Sequence, residues 1–218
     1  MQLTRLTETA EYDKKRDELR LAEIELMQQQ EQVAQMRREL PVGAAITDYE
    51  FIEVNPERSV RMSELFSAPD RPLIVYHFMY GKAQTTACPM CTCWLDDFNG
   101  IAHHITQNAD LAVVAAADPA TLRAYAQSRG WDQLRLLSAG DSTFKYDLLS
   151  EDPDGSQDST ISVFTRDADG TIRHRYTSHP WMSDDIRERG IDLLNPVWNL
   201  LDLTPDGRGD WYASLSYD

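Results

Sequence analysis

Two near-continuous apolar runs, each leading to a residue–proline pair, constrain this chain more than any other feature. They are Leu73–Met79 (LIVYHFM) and Leu111–Ala117 (LAVVAAA). Such runs suit strands covered on both faces. A loop of small and polar residues, Gly81–Ala87, separates the first from Cys88-Pro89, while Asp118-Pro119 follows the second at once. Proline fits the first helical position and the residue before it fits the N-cap. The spacing therefore predicts one helix opening at Cys88-Pro89 and another over 118–130. Ile46–Val54 alternates as a strand does. Ser63 can cap a short helix over Glu64–Phe66, and Leu134–Ser138 reads as a short extended segment. Ile161–Phe164 and Ile172–Tyr176 flank Arg166-Asp167-Ala168-Asp169-Gly170, which is a hairpin signal. A last helix is expected within 183–201. This order predicts an α/β fold, a mixed central sheet with helices on both faces.

Residues 7–40 read differently. Strong helix formers dominate and neither Gly nor Pro occurs before Pro41. Thr7 or Thr9 can cap the start. Tyr12, Leu19, Leu26, Val33 and Leu40 recur every seven residues, while the companion row Lys15, Ala22, Gln29, Met36 is half apolar. The segment is too polar for a core helix, so it is either an arm that pairs with a second copy in a homodimer or a helix laid across its own domain. The expected division is a helical arm over 1–41, one domain over 42–205 and a tail over 206–218.

Lys plus Arg number 21 and Asp plus Glu 36, a net charge of −15. That field repels phosphate backbones and anionic lipid, so neither nucleic acid nor a membrane is an expected partner. No apolar run reaches the ~20 residues a bilayer requires, and no signal core follows the first basic residues. A cytoplasmic location is the expectation.

All three cysteines fall in Cys88-Pro89-Met90-Cys91-Thr92-Cys93. An odd, clustered set argues against a disulfide framework and for a reactive or metal site. At the N-cap, the Cys88 sulfur meets unpaired N–H groups and the positive end of the helix dipole, and both favour the thiolate. Cys91 lies one turn on, on the same side, with both sulfurs expected to be reachable from solvent. Cys88 would attack and Cys91 resolve the mixed disulfide. Cys93 falls on another face and is expected to be a buried small hydrophobe. Three thiols with Met90 could also hold a soft metal, but His103 and His104 lie about 18 Å along the helix, so no metal and no cofactor is expected. Trp94 follows the cysteines on the same helix. The five tryptophans could line a groove, with core packing the alternative for most of them. His174 and His179 read as structural, and Arg187, Glu188, Arg189 as a solvated helix face.

The stretches LIVYHFMYG (73–81), CPMC with Trp94 after it, VFTRDADG (163–170), RGIDLLNPVWNLLDLTPDGR (189–208) and Leu40-Pro41 resemble the bacterial thioredoxin-like domain-of-unknown-function family 899. Its members are expected to be dithiol–disulfide oxidoreductases. The resemblance implies a thioredoxin-like fold with a long N-terminal helix and a C-terminal helical extension. It implies Cys88, Cys91 and His77 as catalytic residues, with His77 standing where thioredoxins carry the buried acid that serves their second cysteine; a core histidine hydrogen-bonded to backbone is the alternative reading of His77. It points to Pro89, Met90, Trp94 and Thr160 as substrate-binding residues. The Tyr80–Ala87 loop is longer than in thioredoxins, and Asp158-Ser159-Thr160-Ile161 lacks their cis-proline. Thr85 matches the threonine–cysteine spacing of peroxiredoxins, but Gly81 replaces their proline and no arginine precedes the Ile161 strand. The expected function is thiol–disulfide exchange with a small-molecule or protein substrate. The alternatives are a thiol peroxidase and a non-enzymatic metal-binding or redox-sensing module.

Overall fold

The computed structural model describes residues 7–183 and 189–217. The chain forms two compact units, Met1–Pro41 and Val42–Asp218. The first is helix α1 (Ala10–Arg38). Thr9 caps it by accepting a hydrogen bond from the Tyr12 N–H at 3.1 Å. Glu11 and Asp13 in its first turn and Arg37 and Arg38 in its last complement the helix dipole. None of its residues is buried, and Tyr12, Leu19 and Leu26 are each at least half exposed.

The second unit is built on a seven-stranded sheet in the order β2-β1-β5-β4-β3-β6-β7. The hairpin β1 (Glu50–Val54) and β2 (Glu57–Arg61) turns at Asn55-Pro56, whose peptide is cis. A 3-10 turn (Met62–Leu65) leads to β3 (Leu73–Phe78), α2 (Pro89–Ile105), β4 (Asp110–Ala115), α3 (Pro119–Arg129) and β5 (Leu136–Ser138). Short α4 (Phe144–Asp147) precedes the hairpin β6 (Thr160–Arg166) and β7 (Ile172–Ser178). Helices α5 (Arg189–Asp192) and α6 (Pro196–Leu201) follow. Strands β3, β4 and β5 are parallel, and β6 runs antiparallel to β3.

Period-two alternation along β3 and β4 divides the core in two. Tyr76, Phe78, Val113 and Ala115 face Trp94, Leu95 and Phe98 of α2 and Leu122 of α3. Leu73, Val75, Ala112 and Val114 face the 3-10 turn and Phe144 of α4. Helices α2 and α3 thus lie on one face, and short α4 and the 3-10 turn close the other.

Several expectations needed correction. The strand expected from Ile46 begins at Glu50, because Ile46 instead donates its N–H to Ile172. Arg61, not Ser63, stands at the N-cap of the 3-10 turn, and the Ser63 hydroxyl is bound to Asp48. The single last helix is two short ones, α5 and α6. The charged face expected at 187–189 lies outside the described side chains. Among the described residues, no helix is long and apolar enough to cross a membrane.

Candidate functional site

Chain geometry at the end of β3 places the first cysteine. Gly81 has φ +107°, and a Cβ there would stand 2.1 Å from the Ala117 nitrogen, so only glycine lets the loop pass this close to the end of β4. The loop returns through a hydrogen bond from the Cys88 N–H to the Met79 carbonyl at 3.2 Å. Pro89 then starts α2 with Cys88 extended at the N-cap, and the Cys88 sulfur accepts the Cys91 N–H at 3.4 Å.

The two sulfurs are pushed in opposite directions. The Cys88 thiol is lowered to about 6, chiefly by the hydrogen bond from the Cys91 side chain. The Cys91 and Met90 N–H groups and the Tyr212 hydroxyl add to this, against the cost of burial. Cys91 is raised well above the ordinary thiol range, first by burial and then by the neighbouring Cys88 sulfur. The Tyr76 hydroxyl and the Met79 N–H oppose that rise. The pair shares one thiolate, carried by Cys88. Both are free thiols in this structure.

Both sulfurs open onto a cavity of about 190 Å³. Met79, Met90, Tyr76 and Trp94 line it from the sheet and α2. Pro180, Trp181, Ile191, Trp198 and Tyr212 line it from the C-terminal segments, and Asp158 and Ser159 complete it before β6. The expectation of solvent-reachable sulfurs is thereby corrected. Cys88 is 8% exposed and Cys91 2%, because the C-terminal residues cover the helix start. This cover is held by specific contacts. His179 Nε2 pairs with Asp158 while its Nδ1 accepts the Trp181 N–H at 3.0 Å. Trp198 packs at 6.0 Å on Trp94 and 6.1 Å on Trp211, and Asn195 donates to Asp97 at 2.7 Å.

Of the residues expected to bind substrate, Met90 and Trp94 line this cavity, whereas Pro89 serves as the first residue of α2. His77 and Thr160 do not reach it. They are directly paired across β3 and β6, and alternation turns both to the other face. His77 stacks on Phe144 at 5.1 Å and bonds Ser162 at 3.1 Å, and Thr160 bonds Ser150 at 2.5 Å. Burial, then the charge of Lys145, holds His77 well below the usual imidazole range. The neighbours of each take their expected places: Tyr76 faces Cys91, and Ser159, bonded to the Tyr76 hydroxyl at 2.9 Å, faces the cavity. Cys93 is half-buried, not buried. It lies beside Asp97 and Asn195, where burial and then Asp97 raise its thiol to about 11.

Lys145 is the functional candidate that sequence reasoning missed. It is 1% exposed and donates to the Phe78 carbonyl at 3.3 Å. Burial lowers it to about 7, with the charges of Cys91, Glu151 and Asp158 opposing. Phe78 and Met79 share one peptide group. Its carbonyl accepts from Lys145, and its N–H favours the thiolate of Cys91. In sequence Lys145 looks like any lysine of a short surface helix, so no signal announced it. Of the five tryptophans, Trp94, Trp181 and Trp198 line the cavity, while Trp131 is a core residue. Thr85 is exposed and does not line the cavity. Among the described residues no cluster of three His, Cys, Asp or Glu could hold a metal ion.

A parallel strand, a cysteine-capped helix on one face and an antiparallel hairpin beyond define the class: a thioredoxin-like fold of the kind peroxiredoxins carry. A cysteine-to-serine variant of peroxiredoxin Q from Xanthomonas campestris is similar at TM-score 0.53 and 13% identity, over 76% of this chain and 97% of that one. A variant of PrxQ from Xylella fastidiosa gives 0.52 and 14% identity over 76% and 97%. Peroxiredoxin 5 from Alvinella pompejana gives 0.50 and 18% over 71% and 96%. The chain belongs to the family described as bacterial protein of unknown function (DUF899), whose model matches residues 1–217. No protein of curated function matches the sequence.

Proposed function

We propose that the protein is a thiol–disulfide oxidoreductase in which Cys88 attacks and Cys91 resolves. The observation that carries this reading is the opposed pair of sulfurs at one helix start, with Cys88 lowered to about 6 and Cys91 raised beside it. At neutral pH Cys88 is largely thiolate, the form that attacks a disulfide sulfur. The leaving thiolate departs and takes the proton that Cys91 must lose in a buried place. Once Cys88 is bonded to substrate its negative charge is gone, which removes one of the causes that held Cys91 up. The Tyr76 hydroxyl, the Met79 N–H and the positive charge of Lys145 behind the same peptide favour the new thiolate. Cys91 attacks the Cys88 sulfur, and the second substrate thiolate leaves.

Peroxidase chemistry is the second reading. The fold is shared with peroxiredoxins, but Thr85 stands off the cavity, and among the described residues the groups that chiefly lower Cys88 are the neutral donors of Cys91, Met90 and Tyr212.

The test is a trapping experiment with Cys91→Ser. A mixed disulfide at Cys88 with an added disulfide, absent from Cys88→Ser, is expected. Rapid sulfenic acid formation with peroxide and no mixed disulfide would replace this reading with the peroxidase one. The heptad row of α1, with Tyr12, Leu19, Leu26 and Leu40 exposed, keeps a homodimer within the proposal. Sedimentation is expected to give twice the chain mass, and a monomer removes that part.

A further inference from the structure

We propose that the cavity over Cys88 binds a compact, uncharged aromatic disulfide, with one ring among the indoles and its sulfur against Cys88. This rests on the exchange reading above and adds the substrate class. Three observations carry it.

The first is access. Cys88 is 8% exposed and opens onto the cavity, with Trp181 and Tyr212 among the residues over it. A disulfide on a folded protein surface would have to displace that cover, whereas a small molecule need only enter. The second is size. An apolar cavity of roughly 150 Å³ takes one benzene-sized ring, and drug-sized ligands occupy roughly 300 Å³ or more. The space here is about 190 Å³, room for one ring with its sulfur. The third is chemistry. Met79, Met90, Trp94, Trp181 and Trp198 offer thioether and indole surfaces, which suit an aromatic ring. The described lining includes the Asp158 carboxylate and no Lys, Arg or His, in a chain of net charge −15. Among the described lining residues, an anionic disulfide meets the Asp158 carboxylate and no basic side chain.

The electrons balance within the pair. The Cys88 thiolate attacks one sulfur of Ar–S–S–Ar, the S–S bond breaks, and one arylthiolate leaves. Cys91 gives its proton to the departing first arylthiolate and attacks the Cys88 sulfur, and the second arylthiolate leaves and takes a proton from solvent. The substrate gains two electrons and becomes two thiols, and Cys88–Cys91 becomes a disulfide. An external dithiol, dithiothreitol in the assay, reduces it again.

The test measures exchange rates of the reduced full chain with four probes: dipyridyl disulfide, the dianionic dinitrobenzoate disulfide, glutathione disulfide and insulin. Each rate is divided by that of a free small-molecule thiol with the same probe, at equal thiolate concentration. The normalised rate for dipyridyl disulfide is expected to exceed the others by about 30-fold, and Trp181→Ala or Tyr212→Ala to cut that preference about tenfold. If neither variant folds, the preference of the unaltered chain decides. Equal normalised rates, or a preference for insulin or an anionic probe, overturn this inference and leave the exchange reading intact. No exchange with any probe overturns both.

Discussion

Helices α2 and α3 begin with the same grammar and end in different roles. Each follows a parallel strand, each has proline in its first turn, and each is capped by a side chain that accepts an N–H three residues on. For α2 it is Cys88 accepting from Cys91 at 3.4 Å, and for α3 Asp118 accepting from Thr121 at 3.0 Å. Both caps are held below their ordinary pKa. For Cys88 the first cause is the Cys91 side chain, and for Asp118 it is the hydrogen bond from Thr121. The helix start therefore stabilises an anion in both places. What differs is the surroundings. Asp118 is exposed, whereas Cys88 lies under Trp181 and Tyr212 with a second thiol beneath it. An N-terminus makes an anion comfortable, and the neighbours decide whether that anion becomes a reagent.

Four measurements can break or sharpen this contrast. Replacing Cys88 by the cap of the other helix, Cys88→Asp, is expected to keep the helix capped and the circular dichroism unchanged while exchange falls at least about 1,000-fold. Residual exchange near the starting rate would show that the sulfur is not the reagent.

Lys145 lies near the Cys88 helix start and has no counterpart at Asp118. Its folded pKa, about 7, is below the unfolded value of about 10.4, so the folded state binds fewer protons in between. The stability this group contributes is present above about 10.4 and lost as pH falls through about 7. Lys145→Met is therefore expected to raise stability by on the order of 2 kcal/mol below pH 7, fading as pH approaches 10, and to slow the resolving step. A less stable variant in a denaturant titration at pH 6 would show that the neighbouring acidic groups outweigh the burial of the Lys145 ammonium.

Alkylation of Cys88 is expected to rise with pH around a midpoint near 6. Cys91→Ala, which removes the first cause of that value, is expected to move the midpoint up toward the ordinary thiol range of about 8.5. An unmoved midpoint would assign the effect to the helix start alone, and the two caps would then be alike. The smallest effect belongs to Asp118→Ala. It should cost about 1 kcal/mol in thermal unfolding and leave the Cys88 midpoint in place. A shift there would mean that the two helix starts are coupled.

Local grammar was legible in the sequence and long-range partnership was not. The helix starts at Cys88-Pro89 and Asp118-Pro119, the stop at Gly130 (φ +69°) and the hairpin at 166–170 rest on neighbours in the chain. Strand β2, with Val60 as its buried residue, gains its shape from pairing with β1. His77 was assigned to the cysteines from the position of the buried acid in thioredoxins, but an apolar run covered on both faces does not say which face carries the helix, and Tyr76 is the residue that faces Cys91. The cover of the cavity comes from Pro180, Trp181, Trp198 and Tyr212, between 89 and 124 residues beyond the Pro89–Cys91 turn or Cys88, a separation that no pattern within one segment encodes.

The aromatic cover also gives the site an optical voice. Trp94 and Trp198 sit 6.0 Å apart, and both border the sulfur pair. Closing a disulfide beside excited indoles opens a quenching route that two thiols lack. Emission from the unlabelled protein is therefore expected to dim on oxidation of the pair and brighten on its reduction.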